Sequence, residues 1–168
     1  KLVPWDQAQV HVLTHCLHYG TGVFEGIRAY RGANGTSSVF RLRDHMKRYL
    51  NSAKILGLRV PYDVDELCRA VLDTLTANKL AEGYIRPLSF AGEGGVGVYP
   101  GDNPTRTIIA VWNWGAYLGA EALENGIRVK TSSFCRSHVN ATMSKAKACG
   151  NYVNSVLAKM EVREDGYD

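Results

Sequence analysis

Ser144-Lys-Ala-Lys147-Ala-Cys149-Gly150-Asn-Tyr152 is the stretch from which the rest of the chain can be read. It runs into apolar residues at Val153, Val156, Leu157 and Met160, the i, i+3, i+4, i+7 spacing of an amphipathic helix. The spacing predicts a helix over 151–164, stopped by Asp165 and Gly166. Lys147 therefore stands just upstream of a helix, where unpaired backbone N–H groups carry partial positive charge and Lys145 adds more. Gly150 has no Cβ, which leaves room for a flat ring beside the backbone. Such a lysine is placed to attack an aldehyde, and two solvated loop cations are the plainer alternative.

The segments upstream predict the frame that would hold it. Residues 1–5 read as a short strand. Residues 10–19 carry His11, His15 and His18; the first two are four apart, but no HExxH is present, and packing or hydrogen-bonding histidines are the default. Residues 17–30 are β-branched and aromatic, residues 31–35 form a turn and 38–42 a returning strand, which together read as a hairpin with a long loop. Asp44 is placed to cap a helix that buries Met46, Tyr49, Leu50, Ala53 and Leu56 and stops at Gly57. Asp63 and Glu66 form a capping box for a second helix burying Val64, Leu67, Cys68, Val71, Leu72 and Leu75. Strands are expected at 84–91 and 107–112, a connection at 118–126, and a strand at 127–134. This order predicts an α+β fold. A small N-terminal domain, residues 1–117, has a mostly antiparallel sheet with two helices on one face; residues 118–126 connect it to the start of a second, larger domain at 127–168. The chain reads as part of a longer polypeptide.

Composition narrows the function classes. The chain has 168 residues, 45% hydrophobic and 21% charged, which suits a soluble globular protein and not a disordered one. A formal net charge of +4, scattered along the sequence, favours small anionic ligands and hardly supports nucleic-acid binding. No stretch is long and apolar enough to span a membrane as a helix. Cys16, Cys68, Cys135 and Cys149 form no CxxC pair, so neither a zinc site nor a disulfide framework is indicated, and reduced thiols in the cytoplasm are the simplest account.

Three local patterns carry candidate chemistry. Gly92-Glu-Gly94-Gly-Val-Gly97 matches GxGxxG, but the following VYPGDNP cannot open a helix, so a mobile close-approach loop is favoured over a dinucleotide site. His45 and Arg48 stand one helical turn apart, a pairing that by itself reads as a solvated helix face. Tyr84 and Arg86 alternate on a strand, hence share a face, and together can fix a carboxylate. Trp112 and Trp114 read as core or interface residues.

These segments together resemble the branched-chain amino acid aminotransferases of the class IV pyridoxal-phosphate fold. The resemblance covers essentially the whole chain: LHYGTGVFEGIR, the His-x-x-Arg of residues 45–48, YIRPL, WNWGAYLG and SKAKACGNY. It implies that Lys147 is the catalytic lysine, holding pyridoxal 5′-phosphate as a Schiff base and shuttling the substrate Cα proton. Arg48 would bind the cofactor phosphate and Tyr152 the phenolic oxygen. Tyr19, Phe24 and Gly26 would line the side-chain pocket, and Tyr84 and Arg86 would surround the substrate. Val98 and Tyr117 would be supplied to the neighbouring subunit of a homodimer or higher homo-oligomer. The implied reaction moves the amino group of Leu, Ile or Val to 2-oxoglutarate, in amino-acid biosynthesis. The carboxylate for the ring nitrogen is expected beyond residue 168, so the 168 residues alone are expected to be inactive. D-amino acid aminotransferase and aminodeoxychorismate lyase of the same fold, and a non-catalytic ligand-binding or interaction domain, are the competing readings.

Overall fold

The computed structural model describes residues 1–115 and 119–168. The long strand β4 (Gly83–Ala91) organises the sheet. Along one side it pairs over its whole length with β5 (Thr105–Trp112). Along the other it takes two short strands end to end: β2 (Ile27–Arg31) at its first half and β1 (Gly22–Phe24) at its second. β3 (Ser37–Val39) closes the hairpin outside β2. All these pairings are antiparallel, which agrees with the sequence expectation.

Alternation along β4 sorts its residues between two faces. Gly83, Ile85, Pro87 and Ser89 are buried, while Tyr84, Arg86 and Leu88 are only partly so. The buried face is covered by α2 (Leu42–Ile55) and α3 (Val64–Ala77). Val23, Ile27, Ala29 and Ile85 from the sheet meet Met46, Tyr49, Ala53, Leu67, Val71 and Leu75 from the helices in one core. Tyr49 is fully buried and still satisfied: its hydroxyl lies 2.5 Å from Ser89 Oγ, which in turn lies 2.7 Å from Thr107 Oγ1. Burial, opposed by those two hydroxyls, pushes the Tyr49 phenol up to about 12. Leu72 departs from the expected stripe and is 49% exposed.

Other boundaries shift for local reasons. Residues 1–5 form no strand; Trp5–Gln7 make a single 3-10 turn. Part of the segment expected as the hairpin's first arm folds as the short helix α1 (His15–Tyr19), ended by Gly20 at φ 66°. Asp44 does not cap α2. The helix begins after Arg41, which stands at φ 52°, and Asp44 lies inside the first turn with its carboxylate 2.7 Å from Arg41 Nε. For α3 the capping box forms as expected, Asp63 accepting from the Glu66 N–H at 2.8 Å and Glu66 accepting from the Asp63 N–H at 2.8 Å.

Beyond β5 the chain forms α4 (Ala120–Asn125) and α5 (Tyr152–Glu164), the latter within one residue of the expected helix. Residues 127–134 are not a strand. That segment finds its partners on α5 instead of a sheet: Ser132 Oγ donates to Glu161 at 2.5 Å, the Ser133 N–H donates to the same carboxylate at 3.1 Å, and Lys130 pairs with Asp165. The Ser132 hydroxyl, the Ser133 amide and Lys130 hold the Glu161 carboxyl down at about 2. Polar struts, not an apolar seam, join α5 to this segment, and Val153, Val156 and Met160 on α5 are each more than half exposed.

Candidate active site

The lysine segment joins the sheet by strand-like pairing. Val23 and Ala148 form an antiparallel bridge. The Phe24 N–H donates to the Lys147 carbonyl at 3.1 Å, the Cys149 N–H to Gly22 at 2.8 Å and the Gly150 N–H to Gly20 at 3.1 Å. From the other side, Ser52 Oγ on α2 accepts the Lys147 N–H at 3.1 Å. Extended backbone alternates its side chains. Ala146 and Ala148 go into the interior, and Lys147 is delivered to the sheet face opposite the helices. Lys147 is thus placed by β1 and α2, five residues before α5 begins, and not by the helix terminus itself. Gly150 packs against the Gly20 backbone, with Gly20 O 3.5 Å from where a Cβ would stand.

On that face Phe24 is the common neighbour. Its ring lies 4.8 Å from the Tyr152 ring, with Lys147 Nζ 4.8 Å and the Arg86 guanidinium 4.7 Å from its centroid. Lys147 Nζ donates to the Tyr152 hydroxyl at 2.6 Å. Tyr84 and Arg86 share the face as their spacing required, and Arg86 Nη2 donates to the Tyr84 hydroxyl at 3.0 Å. Arg86 Nε is buried with no hydrogen-bond partner among the described residues. Tyr84 packs against both Trp112 and Trp114, at 5.0 and 4.9 Å between centroids, and the two indoles stack on each other at 5.6 Å. Gly26 lies beneath it: a Cβ there would collide with the Tyr84 hydroxyl.

Lys147 and Tyr152 also line a cavity of about 450 Å³ with Arg48, Arg136, Lys145, Ser137, Thr142, Ser144 and Ser155. Four cationic side chains and four serine or threonine hydroxyls line it, and its lining contains no carboxylate among the described residues. Arg48 reaches the cavity from α2. Its Nε donates to Glu25 Oε1 at 2.5 Å and its Nη2 to Oε2 at 2.8 Å, while His45 Nδ1 lies 2.9 Å from the same carboxylate. Glu25 is fully buried. Burial raises its carboxyl, but Arg48 and His45 together outweigh burial and hold it below the usual range, and Glu25 in turn raises Arg48. So the His45–Arg48 spacing serves one buried anchor, with Arg48 left about half exposed at the cavity wall.

The remaining sequence candidates form a second group. The Tyr19 hydroxyl donates to the Val96 carbonyl at 2.7 Å, and His15, fully buried, lies 2.8 Å from the Gly97 carbonyl and 2.7 Å from Thr21 Oγ1. These bonds hold the 92–97 loop, which Asn103 also laces by accepting from the Gly95 N–H at 2.8 Å and donating to the Gly95 carbonyl at 2.9 Å. The loop leads to β5 and not to a helix, and Val98 at its tip is 79% exposed. Tyr117 lies outside the described residues. Sequence reasoning missed Glu25, Ser52 and Arg136. Glu25, in the two-residue link between β1 and β2, had a signal as the lone acid in the run GVFEGI, but Arg136 had none.

A sheet whose face opposite α2 and α3 presents a lysine, beside a cation-lined cavity, fits the family whose model matches residues 22–168, amino-transferase class IV. The chain belongs to that family. It is 48% identical over 168 residues to the branched-chain-amino-acid aminotransferase of Pseudomonas aeruginosa, covering 100% of this chain and 54% of that protein. Against the enzyme of the same name from Escherichia coli K12 the identity is 49%, covering 99% and 54%. The crystal structure of the Escherichia coli enzyme superposes with a TM-score of 0.96 at 49% identity, over 99% of this chain and 55% of that one. A branched-chain aminotransferase from Thermoproteus uzoniensis, solved with norvaline, gives 0.90 at 42%, over 99% and 55%. The chain thus spans about half the length of these relatives.

Proposed function

We propose that this chain supplies the lysine-bearing portion of a pyridoxal phosphate-dependent aminotransferase that moves amino groups from Leu, Ile and Val to 2-oxoglutarate. The observation that carries the reading is Lys147 Nζ, 2.6 Å from the Tyr152 hydroxyl, at the wall of a cavity lined by cations and hydroxyls. That donor set fits a phosphorylated aldehyde: an amine for the carbonyl, arginine forks for the phosphate, a phenol for the ring oxygen. When bound, pyridoxal phosphate supplies the aldehyde and an electron-accepting ring.

The chain's own residues would then act as follows. Arg48, oriented by Glu25, holds the phosphate, and Arg136 adds a second cation at the cavity wall. Tyr152 gives Lys147 Nζ a fixed hydrogen-bond partner and so fixes its position. Lys147 Nζ removes the substrate Cα proton and returns it as general acid. Tyr84 and Arg86 hold the substrate carboxylate, and the buried, unpartnered Arg86 Nε supports a site built to meet an anion. Phe24, Gly26 and Tyr19 form the apolar wall that branched side chains require. Val98 and Tyr117 reach a neighbouring subunit in a homodimer or larger homo-oligomer; the exposed Val96, Val98 and Tyr99 at the loop tip support this. Residues 1–117 form one domain, 118–126 the connection and 127–168 part of a second domain, supported by the polar struts between residues 130–133 and α5. No helix among the described residues is long and apolar enough to cross a membrane. We place the enzyme in the cytoplasm, in amino-acid biosynthesis.

Borohydride reduction of the cofactor-loaded full-length protein tests the assignment. Label is expected on Lys147 and is lost in Lys147→Ala; label on Lys145, or none, overturns it. A panel of L-Leu, L-Ile, L-Val, D-alanine and aminodeoxychorismate then tests the substrate class, and activity confined to the last two refutes the branched-chain reading.

A further inference from the structure

Cys16 and Cys149 are remote in sequence but adjacent in space. Cys16 lies on α1, and Cys149 lies two residues after Lys147 on the extended segment that pairs with β1. Between them is Gly22. A Cβ built on Gly22 would stand 2.9 Å from Cys16 Sγ and 3.0 Å from Cys149 Sγ, so both sulfurs flank one point that only a glycine leaves open. Both thiols are free and partly exposed. Cys68 lies away on α3, and Cys135 donates its thiol to the Ser137 carbonyl at 3.5 Å.

The geometry points to a modification site: Cys16 and Cys149 form a reversible disulfide with low-molecular-weight disulfides, such as oxidised glutathione, and the bond ties the Lys147 segment to α1. The local electrostatics set the order of attack. The neighbouring Cys149 thiol holds Cys16 below the usual thiol range; the same proximity and burial push Cys149 up. Cys16 is therefore the better thiolate. It attacks one glutathione sulfur. The glutathione disulfide breaks, a mixed disulfide forms at Cys16, and one glutathione leaves as thiolate, taking up the proton that Cys16 released. Cys149 sulfur then attacks the Cys16 sulfur, and the second glutathione leaves with the Cys149 proton. Two protein thiols are oxidised and one glutathione disulfide is reduced to two thiols.

The consequence falls on the Cys149 and Gly150 amides, whose bonds to Gly22 and Gly20 dock the lysine segment. A covalent tie beside them suppresses local opening. The inference stands whether or not Lys147 carries a cofactor. To test it, the cofactor-loaded full-length protein is incubated with oxidised glutathione, remaining thiols are alkylated, and the digest is read by mass spectrometry. A linked Cys16–Cys149 peptide pair is expected. It disappears with dithiothreitol and in Cys16→Ser and Cys149→Ser, and persists in Cys68→Ser and Cys135→Ser. Hydrogen exchange at the Cys149 and Gly150 amides slows several-fold on oxidation. Recovery of both cysteines alkylated, glutathione retained on Cys16 without closure, or unchanged exchange after closure overturns the proposal.

Discussion

Replacing Gly20 with alanine probes the joint on which the lysine segment depends. Gly20 stands at φ 66°, and a Cβ there would lie 2.6 Å from Gly150 Cα and 2.9 Å from Gly150 N. The left-handed backbone alone costs a non-glycine residue about 1–2 kcal/mol. The collision is with backbone, so no side-chain rotation relieves it; the Gly150 segment must move. That motion strains the Gly150 N–H bond to Gly20 at 3.1 Å and the Cys149 N–H bond to Gly22 at 2.8 Å, each worth about 1 kcal/mol net. The expected total is about 3–4 kcal/mol. Gly35→Ala is the matched control, because Gly35 stands at φ 78° with nothing within 4 Å of the built Cβ. It should lose only the backbone contribution. Urea unfolding with unchanged m-value measures both. If Gly20→Ala is no more destabilising than Gly35→Ala, the lysine segment is not held by this contact and the reasoning fails.

Three further substitutions separate charge, burial and docking. Glu25→Gln keeps the shape of the buried side chain but removes the charge that Arg48 and His45 pair with. Because Glu25 is held below the usual carboxyl range, its contribution is present above about pH 4.3 and is lost as pH falls through its lowered value. The stability curves of Glu25→Gln and the parent should therefore converge in acid; curves that stay parallel below about pH 4 refute the pairing. Tyr49 ionises at about 12 when folded, so the unfolded chain loses its proton first and stability falls as pH rises from about 10, by about 3 kcal/mol in total. Tyr49→Phe should flatten that alkaline limb in denaturant titrations, at a cost near neutrality of about 1 kcal/mol. Ser52→Ala removes the acceptor of the Lys147 N–H. It should cost about 1–3 kcal/mol and speed exchange of that single amide, and unaltered exchange would sink the docking role.

What the sequence disclosed follows from the range of the forces involved. The Asp63–Glu66 box and the period of α5 are local, so they were legible to within a residue. The two-residue period of β4 placed Tyr84 and Arg86 together because strand geometry leaves no other choice. Errors arose where a partner outside the expected pattern decides, near or far. Asp44 looked like a cap, but Arg41 turned the chain first at a positive φ and took the carboxylate for itself. Residues 127–134 have strand composition, yet their hydrogen-bonding groups meet α5 and no strand. Glu25 and Ser52 position Arg48 and Lys147 across 23 and 95 residues of sequence, a relation no local pattern encodes. The family likeness supplied Lys147 over Lys145, which periodicity alone could not.

The extended pairing of residues 146–150 also explains why the lysine need not belong to a helix. A helix would rotate successive side chains by about 100°, whereas an extended segment sends alternate ones to opposite sides. Ala146 and Ala148 can then fill the interior beside Val23 while Lys147 faces Phe24 and Tyr152. The same alternation on β4 gives Ile85 to the core and Arg86 to the outer face. Two antiparallel alternations, in register through β1, therefore bring an amine and a guanidinium to one aromatic ring without either element burying a charge in the core. The core is built on one side of the sheet, and the amine and guanidinium stand on the other. That separation leaves Lys147 and Arg86 on the outer face, while the core beneath is mainly apolar and the Tyr49 hydroxyl it buries is paired with Ser89.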